Sequence, residues 1–131
     1  MAKRTKKIIL LDTSIFIEIL RNNTTIINHC DKIGDSYIAF NPIVRAELYA
    51  GAGNKAGLLF IKRLLTRFNH YRIDNQASKK FEELITTYTL SHGIGIPDAL
   101  IAATAIANGL ELYTLNIQDF DFIKGLKLYQ P

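Results

Sequence analysis

Three acidic residues stand where a fold needs a reason to keep them. Asp12 directly follows the apolar run Ile8–Leu11 and precedes Thr13 and Ser14. Glu47 lies in a stretch that reads as a helix from Ile43 to Ala50. At 3.6 residues per turn it shares an arc with Ile43, Val44, Ala46, Leu48 and Ala50, whereas Arg45 and Tyr49 point the other way. That helix is expected to aim a carboxylate into its own buried face, where an ionised acid needs a cation, a proton or a wet cleft. Asp98 is the second residue of a helix opened by Pro97 and continued by Ala99–Ile106, apolar nearly all round. A further polar loop, Thr114-Leu115-Asn116-Ile117-Gln118-Asp119-Phe120, lies just past another apolar run.

Each of these residues also has an ordinary use. Asp12 suits a helix N-cap, and an acid in a first turn gains about 0.3–1 kcal/mol from the helix dipole. Glu47 could pair with a buried arginine, Asn116 could serve a turn and Asp119 a cap. Gathered in one place, the acids would do something else. Two carboxylates 4 Å apart repel by about 4 kcal/mol at an effective dielectric of 20. Hard divalent cations such as Mg²⁺ and Mn²⁺ offset that repulsion, because they favour carboxylate and water ligands. A metal so held can activate water and neutralise a phosphate under attack, which is the chemistry of a metal-dependent nuclease.

Strand-like and helix-like segments alternate along the chain, as the gathering of these acids requires. Ile8–Leu11 reads as a strand buried on both faces. Helices are expected over Thr13–Leu20 and Thr24–Ile33, then a strand over Tyr37–Phe40. Asn41-Pro42 supplies an N-cap followed by proline at the first helical position. Helices then fit Ile43–Ala50 and Lys55–Phe68, with a brief strand at Tyr71–Ile73. Ala77, Phe81, Leu84, Ile85 and Tyr88 form an amphipathic stripe on a helix from Asn75 to His92-Gly93. A helix from Pro97 to Asn108 and strands at Leu112–Leu115 and Leu126–Tyr129 complete the series. Strands separated by helices imply crossovers and a mainly parallel sheet covered on both faces. Ligands of such sheets bind outside the carboxyl ends of the strands, which is where Asp12 and the loop Thr114–Phe120 are expected to fall.

Composition narrows the class. With 131 residues, 48% hydrophobic and 21% charged, the chain suits one globular domain and argues against disorder or low complexity. The single Cys30 excludes an internal disulfide and a zinc site built on several cysteines, and favours a reducing, cytoplasmic setting. The apolar run before Asp12 is too short for a signal peptide or a membrane span, so no membrane partner is expected. The net charge of +4 resides in the tail of residues 1–7 (Lys3, Arg4, Lys6 and Lys7), because the other 12 basic side chains match the 12 acidic ones. From Lys55 to Lys80 seven basic residues face a single acid, Asp74. That run is either a solvated helix face or a surface that tracks phosphates.

Four stretches in this order resemble a PIN domain, and more narrowly the VapC-type ribonuclease toxins of toxin–antitoxin pairs. They are Ile9-Leu10-Leu11-Asp12-Thr13-Ser14, Arg45-Ala46-Glu47-Leu48, Pro97–Ala105, and Leu112-Tyr113-Thr114-Leu115-Asn116 with Asp119-Phe120. The resemblance runs from about residue 8 to 129. It implies a three-layer α/β/α fold with a central, mainly parallel sheet, a single domain over 8–131, and Mg²⁺- or Mn²⁺-dependent endonucleolytic cleavage of RNA. It implies that Asp12, Asp98 and Glu47 bind metal directly or through water, Glu47 positioning the water, and that Ser14 and Thr114 organise the pocket. It further implies a homodimer and a cognate antitoxin that blocks the acidic cleft. Many relatives carry a fourth acid where this chain has Asn116, which removes one charge from the catalytic set; Asp119 could compensate if its loop is helical. Lys62, Arg63 and Arg67, with the N-terminal tail, are expected to hold the flanking RNA.

Two rivals are weaker and one stays open. A phosphatase working through an aspartyl intermediate needs a second acid two residues after Asp12, where this chain has Ser14. Response-regulator receivers need an acidic pair before the first helix, which is missing. A non-catalytic PIN-like module binding RNA or protein is the alternative that Asn116 keeps open. His29, His70 and His92 lie beside element ends and offer no positioned acid–base pair for metal-free cleavage.

Overall fold

The structure, a computed structural model, describes residues 7–131. The basic tail expected to contact RNA therefore lies, apart from Lys7, outside the described residues. Five short strands form one sheet: β1 (Ile9–Leu11), β2 (Ile38–Phe40), β3 (Asn69–His70), β4 (Glu111–Tyr113) and β5 (Lys127–Leu128). Their order is β3-β2-β1-β4-β5, and every pairing is parallel. All residues of β1 and β2 are buried. A strand without an exposed side must be covered on both faces, which accounts for its unbroken apolar sequence.

Among the described residues, six helices supply the cover: α1 (Thr13–Leu20), α2 (Thr24–Ile33), α3 (Pro42–Ala50), α4 (Lys55–Leu65), α5 (Asn75–His92) and α6 (Ile96–Asn108). Their starts follow local chemistry. Asn23, Asn41, Asn54 and Asp74 each accept a hydrogen bond from a first-turn amide, capping α2, α3, α4 and α5. Gly93 and Gly109 end α5 and α6 in the left-handed conformation that glycine adopts without a Cβ penalty. Helix α6 buries Ala99, Ile101, Ala102, Ala103, Thr104 and Ala105, as its nearly uniform apolar sequence requires. Among the described residues, no helix is long and apolar enough to cross a membrane.

Several expected elements shift, the strands at the sheet's ends being shorter than expected. Tyr37 belongs to a 3₁₀ turn, Asp35–Tyr37, so β2 begins at Ile38. Helix α4 stops at Leu65, where Thr66 turns its hydroxyl onto the Arg63 carbonyl at 2.6 Å. Strand β3 is Asn69–His70 rather than Tyr71–Ile73, because the Asn69 side chain ties it to the carbonyls of Ser36 and Ile38, each at 2.9 Å.

Candidate active site

The chain runs outward from β1 through β2 to β3, then returns to the other side of β1 as β4. The crevice between β1 and β4 is thus the sheet's switch point, where α/β folds hold ligands. Leu11 pairs with Tyr113 there, and the Asp12 amide donates to the Tyr113 carbonyl at 2.9 Å. The ladder so delivers Asp12 and Thr114 side by side at the carboxyl edge.

Asp12 is only 4% exposed, and both of its carboxylate oxygens accept hydrogen bonds, Oδ1 only one. Oδ1 accepts the Thr13 amide at 2.8 Å; Oδ2 accepts the hydroxyls of Thr114 at 2.7 Å and Ser14 at 3.0 Å. Each hydroxyl in turn accepts a loop amide, Leu115 onto Ser14 at 3.2 Å and Asn116 onto Thr114 at 3.0 Å. The loop after β4 is therefore strapped to Asp12 through two hydroxyls. That is why β4 ends at Tyr113 instead of Leu115: the next amides leave the ladder for side-chain oxygens.

Glu47 differs from expectation. It is exposed, and so is Ala46 beside it, although Val44 and Leu48 of the same α3 arc are buried in the core; Glu47 stands at the open margin of that arc. Of the three ways to keep a carboxylate there, the fold uses the wet cleft, and no buried arginine partner is needed. The Thr13 hydroxyl donates to Glu47 Oε1 at 2.7 Å, tying the start of α1 to α3. Thr13 went unread in the sequence, although its place between Asp12 and Ser14 was a signal.

Asp98 is half-buried in the first turn of α6. Gly95, the residue before α6, lies against this carboxylate: a Cβ there would stand 3.4 Å from Asp98 Oδ2. Burial, then the negative charges of Asp12, Asp119 and Glu47, push its pKa up to about 6. Four carboxylates thus share one electrostatic neighbourhood. Asp119 joins it because residues Ile117–Asp119 form a 3₁₀ turn, while Asn116 caps that turn with its side chain exposed.

A buried asparagine sets the spacing of two of these acids. Asn41, with no solvent exposure, caps α3 by accepting the Val44 amide at 3.1 Å. Its Nδ2 donates to the Thr104 hydroxyl at 3.1 Å and the Leu100 carbonyl at 3.4 Å, both on α6. One side chain so joins the helix of Glu47 to the helix of Asp98; the sequence showed the cap but not the bridge.

The basic residues expected to hold RNA are not brought to the acids. Lys62 and Arg63 lie exposed in the last turn of α4, which leads into the amino end of β3. Arg67 is engaged by Asp35, Nε and Nη2 donating at 3.0 and 3.1 Å, and Asp35 precedes β2. In a parallel sheet both places belong to the amino edge, opposite Asp12.

Among the described residues, no three acidic, histidine or cysteine side chains stand close enough to grip one ion as shared direct ligands. The donor set still fits a hard divalent cation. Mg²⁺ keeps several waters and uses one or two carboxylates, and the repulsion concentrated on Asp98 is relieved by such a charge. Asp12 and Asp98 are the carboxylates that would hold it, with Glu47 and Asp119 adding negative charge nearby.

The sequence model of the PIN domain matches residues 9–124. Ribonuclease VapC1 of Rickettsia felis is 32% identical over 128 residues, covering 92% of this chain and 93% of that protein. Among solved structures, VapBC2 from Rickettsia felis, bound to a DNA fragment from their promoter, superposes with a TM-score of 0.81 at 27% identity, covering 93% of this chain and 97% of that one. A toxin–antitoxin complex from Klebsiella pneumoniae gives a TM-score of 0.76 at 27% identity, covering 93% and 98%. With its acids at the switch point of a five-stranded parallel sheet, this chain belongs to the PIN domain family, in its VapC branch.

Proposed function

We propose that the protein is a divalent-metal-dependent endoribonuclease and the toxin of a type II toxin–antitoxin pair, acting in the cytoplasm on unpaired RNA. The observation that carries this reading is the gathering of Asp12, Asp119 and Glu47 near Asp98, whose pKa burial first, and then these charges, push up to about 6. Such repulsion is a cost to the fold that a cation removes. When bound, Mg²⁺ or Mn²⁺ supplies charge neutralisation at the phosphate and an activated water.

The chain's own residues do the rest. Asp12 and Asp98 hold the cation, Asp12 kept in one orientation by its three hydrogen bonds. Glu47, oriented by Thr13, accepts a proton from water in the cleft. Ser14 and Thr114 fix the loop that carries Asn116, whose side chain faces solvent where it can donate to a phosphate oxygen, and Asp119 makes up part of the charge that Asn116 lacks. Relatives crystallised as toxin–antitoxin complexes support an antitoxin partner for the acidic cleft. Exposed Leu59 and Phe60 on α4 offer apolar surface for a second copy of the chain in a homodimer.

The test is cleavage of a panel of single-stranded and structured RNAs with Mg²⁺, with EDTA, and by Asp98→Asn. The reading expects cleavage only by the unaltered protein with metal. Equal cleavage by Asp98→Asn overturns it, and RNA binding without any cleavage favours a non-catalytic binding module.

A further inference from the structure

Phe40, the last residue of β2, carries two basic side chains on its ring. The Arg45 guanidinium lies over it, 5.3 Å from the centroid, and the His70 imidazole stacks on it at 4.8 Å with the planes 13° apart. The pairing of Phe40 with His70 in the β2–β3 ladder fixes the second contact, and the Tyr71 amide extends it by donating to the Phe40 carbonyl at 2.9 Å. Arg72, two residues beyond His70, lies near enough for its charge to act on the His70 ring. Arg45, His70 and Arg72 therefore gather just past the carboxyl ends of β2 and β3.

Nothing among the described residues neutralises them. Neither Arg45 nor Arg72 has a carboxylate partner, and Arg45 Nε is buried without a hydrogen-bond acceptor. Burial and then the charges of Arg45 and Arg72 lower the His70 pKa from its ordinary value, so both guanidiniums are felt at the ring. A buried donor left unpaired is costly, and a planar fork of guanidinium donors matches the oxygens of a phosphate.

We infer that Arg45, His70 and Arg72 form a docking site for the phosphodiester backbone of single-stranded RNA that leads the strand into the acidic cleft. The inference rests on the ribonuclease reading above. Placement favours it: β3 lies two strands from β1, about 10 Å at the usual spacing, and on the same edge as Asp12. The Phe40 ring is buried, so it offers no stacking platform for a base and the cluster reads the backbone.

The test is the salt dependence of binding of a short labelled single-stranded RNA to Asp98→Asn protein, which does not cut it. Adding Arg45→Gln and Arg72→Gln should weaken binding about tenfold at low salt and shrink the slope of log affinity against log salt by about 1.4, two contacts at about 0.7 each. The loss should be uniform across RNA sequences. Arg45→Lys should restore part of the slope. Lys32→Gln with Lys127→Gln, the same charge change at exposed places elsewhere, should leave it intact. If the Arg45 change unfolds the protein, exposed Arg72→Gln alone should still shrink the slope by about 0.7. An unchanged slope, an equal loss in the lysine control, or a loss confined to one RNA sequence overturns the inference. If Asp98→Asn binds no RNA at all, the ribonuclease reading itself fails; if it binds and the arginine changes do nothing, only the docking site is lost.

Discussion

The two edges of the sheet handle charge in opposite ways. At the amino edge, Arg67 and Asp35 meet in a two-pronged ion pair, half open to water, and satisfy each other. At the carboxyl edge, like charges collect: Asp12, Glu47, Asp98 and Asp119 around one crevice, and Arg45 and Arg72 beside the His70 ring, whose protonation they oppose. The first arrangement is complete as it stands. The second is satisfied only when something of opposite charge arrives, which is what separates a surface that stabilises from a surface that acts.

Changing each edge in turn should separate the two kinds of charge. The largest effect belongs to Asp98→Asn, which should lower RNA cleavage by about 10²-fold or more at saturating metal, read as single-turnover rates. The same variant should gain stability without metal. The Asp98 pKa is raised from 3.8 to about 6, so between these values the folded state holds the proton that the unfolded state has released. Stability from this group is full below about pH 4 and is lost as pH rises through 6. At pH 7.5 the neutral asparagine, discounted for partial exposure, should stabilise the metal-free protein by about 1 kcal/mol in urea melts. Next comes Thr114→Val, which removes a donor to Asp12 and an acceptor for Asn116 at a buried position. It should cost about 1–3 kcal/mol in the same melts and slow cleavage as the loop loses its strap. The smallest effect is Asp35→Asn at the amino edge. It should change stability by no more than about 1 kcal/mol and leave cleavage unaltered, and a large loss of cleavage would erase the contrast between the edges.

Much of this was legible in the sequence, and the failures have physical causes. Helices α1 and α2 and the ends of α5 and α6 follow from caps, glycines and apolar period, which are local. Asp12 could be placed at a strand end because Ile8–Leu11 is unmistakably buried. Strand β3 could not be placed: it is two residues long and held by an asparagine side chain reaching a strand more than 30 residues away. Glu47 was assigned to the buried face of α3 but stands at its open margin, since helical period gives an arc but not how far the core covers it. The Asn41 bridge to Thr104 and the gathering of Arg45, His70 and Arg72 are pairings between distant stretches, invisible until strand order is known. Lys62, Arg63 and Arg67 drew notice through density of charge along the chain, whereas topology sends them to the amino edge.

The most direct test is thermal melting at pH 7.5 across a Mn²⁺ series, for the unaltered protein and for Asp98→Asn. Ligand binding to the folded state alone stabilises it by about 2.7 kcal/mol at one hundred times the dissociation constant. The account predicts a midpoint that climbs with Mn²⁺ for the unaltered protein and stays level for Asp98→Asn, which begins from the higher metal-free midpoint. Parallel climbs in both proteins, or none in either, would contradict a cation held among Asp12, Glu47 and Asp98.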